Sequence, residues 1–64
     1  MIKKHIEAIL NKEAKFIKNK NEFAIAIEHA FYEDFNQTER KFLDFLDIVD
    51  YTKWHITQAK IYNL

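Results

Sequence analysis

The sequence contains no cysteine, no glycine and no proline, and it has no serine. Without cysteine, disulfides are excluded and the redox compartment is left open. Without glycine and proline, tight two-residue hairpin turns are poorly supported. Glycine-rich loops that cradle phosphate are excluded outright. The loss of serine and cysteine removes two common covalent nucleophiles. Long apolar runs are also missing: none approaches the ~20 residues of a transmembrane helix. The first residues are charged but lack the apolar stretch of a signal peptide. The expectation is a soluble, cytoplasmic protein with no membrane association.

What remains is rich in apolar side chains. Of 64 residues, 48% are hydrophobic and 16% aromatic, which is too much for a disordered chain. The length allows one domain, residues 1–64. A chain this short buries only about 60% of its unfolded surface, so it is marginal alone and gains from association.

Net charge is zero but unevenly placed. Residues 1–20 carry six lysines against Glu7 and Glu13, whereas residues 21–50 carry eight acids against Arg40 and Lys41. Such asymmetry guides an acidic partner to one end, or joins one copy to another. The alternative is that the two regions neutralise each other within the fold.

Two strings punctuate the chain: "NKNE" at residues 19–22 and "NQTE" at 36–39. Each has the form Asn-x-x-Glu. Asparagine accepts a free N–H of a first helical turn, and the glutamate reaches back to the cap. Both read as helix boundaries. They predict helices over 2–18 and 20–34, and a third helical region from 37 to the end.

In the first helix, Ile2, Ile6, Ile9, Leu10, Phe16 and Ile17 form an apolar stripe, with Glu13 near its centre. In the second, Phe23, Ala24, Ala26, Ile27, Ala30 and Phe31 fall together, while Ile25 and Tyr32 point away. In the third, Phe42, Phe45, Leu46, Val49, Thr52, Ile56 and Ala59 share a face that runs in phase through Asp50. The predicted fold is all-α: a small three-helix bundle made of a helical hairpin and a long third helix. That helix is either continuous over about 25 residues or broken near Asp50. Tyr51, Trp54 and Ile61 fall on roughly the opposite face from Ile56 and Ala59. A helix apolar on two faces needs cover on both.

Candidate chemistry is sparse. His5, His29 and His55 sit on three separate elements, and their reading is as ordinary surface histidines rather than zinc ligands. Asp44, Asp47 and Asp50 read as a solvated acidic face with local ion pairs to Arg40 and Lys53. Glu13 and Lys53 each border an apolar face, so each must reach water or a partner. Glu13 is expected where its stripe meets the bundle edge, and the two could meet across the helices. No nucleophile, metal motif or cofactor loop supports an enzyme, and no cofactor is expected. The stretch "QTERKFLDFLDIV" slightly resembles the first helix of a helix-turn-helix. The glycine-bearing turn and polar recognition helix are missing, so no family is assigned.

The functional expectation is protein binding, as a small regulatory adaptor or inhibitor or as a homo-oligomeric accessory protein. Small products of phages and plasmids often have this composition. Tyr51, Trp54 and Ile61 are the candidate contacts with another chain, either foreign or a second copy. The alternative is a DNA-binding regulator that uses the lysine face of the first helix: Lys4, Lys12, Lys15 and Lys18.

Overall fold

The computed structural model describes residues 2–63. Within them the chain forms α1 (Ile2–Glu13), α2 (Lys20–Asp34), α3 (Gln37–Arg40) and α4 (Phe45–Ile61). No strand occurs among the described residues, and the architecture is a small helical bundle.

α1 is the shared element, packing against both α2 and α4. The backbone N–H of Lys3 donates to Glu28 Oε2 at 2.9 Å. Residues 14–19 join the other ends of the two helices, so α1 and α2 run antiparallel. Contact with α4 advances the other way: the His5 ring meets Phe45 with centroids 5.1 Å apart, and Lys53 meets Glu13. α4 therefore runs in the same direction as α1, giving an up–down–up order.

The core takes part of the stripes that periodicity predicts, adds Ala14, which lies outside them, and leaves Ala26 of the α2 stripe exposed. Ile6, Ile9 and Leu10 of α1 pack with Ala14 and Ile17 from the link, Ala24 and Ile27 of α2, and Ile56 and Ala59 of α4. Thr52 is fully buried among them; its hydroxyl donates to the Ile48 carbonyl at 2.8 Å, which satisfies the polar group.

Three expectations need correction. First, α1 ends at Glu13 rather than at 18. The Ile17 N–H donates to the Ala14 carbonyl, closing a four-residue turn over 14–17. This turn keeps Ala14 and Ile17 in the core while the chain reverses toward α2, and it leaves Phe16 41% exposed. A helix continued to Lys18 would leave no chain for the reversal.

Second, the third region is not one long helix, and its break is not near Asp50. It splits before Phe45, and α4 passes through Asp50 uninterrupted. Asp44 accepts from the Asp47 N–H at 3.0 Å, and Asp47 returns a carboxylate to the Asp44 N–H at 2.8 Å. That reciprocal cap starts a new helix in a chain without glycine.

Third, the break moves aromatic residues outward. Phe42 lies in the turn and is 83% exposed, and Phe45 and Leu46 are exposed too, although the continuous stripe places all three in the core. Only the later part of that stripe, Thr52, Ile56 and Ala59, is buried.

The predicted caps are present. Asn19 accepts from the Glu22 N–H at 3.2 Å, and Asn36 and Glu39 form a reciprocal pair at 2.8 and 3.0 Å. Arg40 does not pair with Asp44. It turns back over α2, lies 4.7 Å from the centre of the Tyr32 ring, and donates to the carbonyls of Phe35 and Tyr32. There it satisfies carbonyl groups that the end of α2 leaves free.

Candidate functional site

α4 has two faces with different roles. The inward face carries Thr52, Ile56 and Ala59. The outward face carries Leu46, Asp50, Trp54, Thr57 and Ile61, at successive spacings of four, four, three and four residues that keep them on one side of a helix. Leu46 is 68% exposed, Trp54 59% and Ile61 63%. These are large apolar groups in a molecule whose core is complete without them. The Trp54 ring meets His55 edge-on at 5.0 Å.

The three residues expected at a partner surface are therefore separated. Trp54 and Ile61 share the outward face. Tyr51 leans toward α2 instead. Its ring packs edge-on against Phe31 at 5.4 Å and Phe35 at 5.6 Å, and its hydroxyl donates to Asp34 at 2.6 Å. Tyr51 thus holds α4 from behind. Burial, then the hydrogen bond to Asp34 and the charges of Asp34 and Glu33, raise its pKa far above the ordinary tyrosine value.

His55 lies between Tyr51 and Trp54, its ring 4.6 Å from that of Tyr51. It is half-buried rather than on the surface. Its Nε2 is buried and finds no hydrogen-bond partner. Desolvation lowers its pKa, and the nearby Asp34 charge opposes that shift. The three histidines do not converge: no group of three or more histidine, aspartate or glutamate side chains among the described residues is arranged to hold a metal.

Glu13 and Lys53 do meet, at 3.8 Å, and both side chains remain about half exposed. The pair sits at the bundle edge, so neither charge is desolvated. Lys4, Lys12, Lys15 and Lys18 are all exposed. An open groove of about 610 Å³ lies where the α1–α2 link meets the chain end, lined by Phe16, Ile17, Lys18, Asn19, Glu22, Phe23, Ala26 and Asn63. Its charged side chains, Lys18 and Glu22, are exposed.

The fold sorts charge along its length. Residues 2–7, 28–34 and 39–50 gather at one end, with eight acids against four basic residues. Residues 8–27 and 51–63 form the other, with six basic residues against two acids. The molecule is 33 Å long and carries opposite net charge at its two ends.

No helix among the described residues is long and apolar enough to cross a membrane. The structure defines the class, a small all-α bundle with apolar side chains exposed on the outward face of α4 among the described residues. No protein-family model, curated protein or solved structure matches the chain.

Proposed function

We propose that this chain is a small protein–protein interaction module that binds through the outward face of α4. The observation that carries the reading is the exposure of Trp54, Ile61 and Leu46 on one side of a helix whose other side already completes the core. Tryptophan is a frequent anchor of interfaces because it offers large area at low entropic cost. Tyr51 and the Asp34 bond support the same helix from within, so its outer face is presented on a braced element.

The test is a photo-cross-linking amino acid placed at Trp54 in the producing cell, with Ile25 on α2 as the control position. The expected result is a defined higher-mass protein adduct from position 54 and none from 25. The competing reading assigns Lys4, Lys12, Lys15 and Lys18 to nucleic acid. It prevails if position 54 gives no adduct while the purified chain binds duplex DNA with steep salt dependence. That binding must then be lost when Lys12, Lys15 and Lys18 become glutamine.

A further inference from the structure

We propose that the occupant of the outward face of α4 is a second copy of this chain, packed with its α4 antiparallel to the first about a two-fold axis near Trp54. This rests on the interaction reading above and names the partner.

The argument is self-complementarity. A two-fold interface uses the same patch twice, so every feature on one side of the axis must suit a feature on the other. Place the axis between Lys53 and Trp54. Leu46 then lies as far before it as Ile61 lies after it, so each Leu46 comes level with Ile61 of the second copy. Asp50 comes level with Thr57, within one turn of Lys60 across the pair. The two Trp54 rings meet at the centre, where an anchor is most effectively shielded from water.

Long-range charge favours the same arrangement. The first part of α4 belongs to the acidic end of the molecule, and its last turn belongs to the basic end. Antiparallel docking lays each acidic end over the basic end of the other copy, whereas parallel docking superposes like charges. The helix dipoles of the two α4 segments also oppose favourably in this sense. One helix face is smaller than a standard stable interface, so the dimer is expected to dissociate at roughly micromolar concentration or above.

Sedimentation equilibrium on the full chain, over about 1 µM to 1 mM, tests this. The expected result is a monomer–dimer equilibrium with no larger species, weakened at least about tenfold when salt is raised to ~0.5 M. Trp54→Ala should be monomeric with unchanged helical circular dichroism. Asp50→Lys and Lys60→Glu should each weaken the dimer about tenfold, and the two together should restore it, because the swap reverses both charges of one pairing. Ile61→Ser is a second apolar variant with the same expected loss.

A chain that stays monomeric throughout overturns the proposal. So does a dimer that Trp54→Ala leaves intact, a charge swap no better than either single change, or loss of helical signal in Trp54→Ala, which would put that side chain in the core. A monomer that still gives a foreign adduct from position 54 sinks only the second copy. A monomer with no adduct sinks the interaction reading as well.

Discussion

The Tyr51 hydroxyl donates to Asp34 Oδ2 at 2.6 Å, tying the middle of α4 to the last residue of α2. Ionising that hydroxyl would place a second negative charge beside Asp34 in a partly buried site. The folded-state pKa is therefore raised, first by burial and then by Asp34. A raised pKa stabilises the fold below the unfolded value and loses that contribution as pH rises above about 10. Thermal unfolding between neutral and alkaline pH should show wild type losing stability more steeply than Tyr51→Phe. Parallel slopes would disconnect Tyr51 from Asp34 in solution.

His55 works in the opposite sense. Desolvation lowers its folded-state pKa, so the fold favours the neutral ring. Its contribution is complete above the unfolded value of about 6.5 and is lost as pH falls below it. His55→Gln should show less destabilisation than wild type between roughly pH 6.5 and 5. An unchanged pH slope in the variant would mean that the ring is hydrated.

The helix caps are unequal in what they hold. Asp44 starts a helix of 17 residues, and Asn36 starts one of four. Asp44→Ala should destabilise by about 1 kcal/mol, and Asn36→Ala by less, although both have reciprocal caps. Chemical denaturation of the two variants measures this. Equal losses would show that the exposed α3 matters to the fold as much as α4 does.

Core and exposed apolar side chains should separate sharply. Leu10 is completely buried, so Leu10→Ala should cost about 3 kcal/mol, enough to threaten so small a domain. Phe42→Ala removes a ring that stands in solvent and should change stability by less than about 0.5 kcal/mol. A large loss at Phe42 would mean that the helix runs on through residues 41–44 and turns the ring inward.

The Glu13–Lys53 pair should be weak. Its side chains are half exposed and 3.8 Å apart, so a double-mutant cycle to alanine should give a coupling under about 1 kcal/mol that fades with salt. A salt-independent coupling of several kcal/mol would place the pair in a far drier site.

The sequence alone determined the all-α class, the bounds of α2, and the caps at Asn19 and Asn36. It also determined the burial of Ile6, Leu10, Ile27 and Ile56. These follow from local signals: helical spacing of apolar residues and short polar side chains placed where a first turn has free N–H groups. The Asp44–Asp47 cap carries the same signal, in "DFLD", but it was masked because the apolar pattern stays in phase from Phe42 to Ala59. Periodicity records which side of a helix is apolar. It does not record whether two helices in phase are joined or bent apart. The tertiary structure decided that, because only a break before Phe45 lets α4 lie back along α1 and bury Thr52, Ile56 and Ala59. The same bend exposes Phe42 and Leu46 and sends the Tyr51 ring to Phe31 and Phe35. Burial against a neighbouring helix is a property of pairs of elements. It emerged only when α1 lay between α2 and α4, and it left Trp54 and Ile61 on a face of α4 that no described element covers.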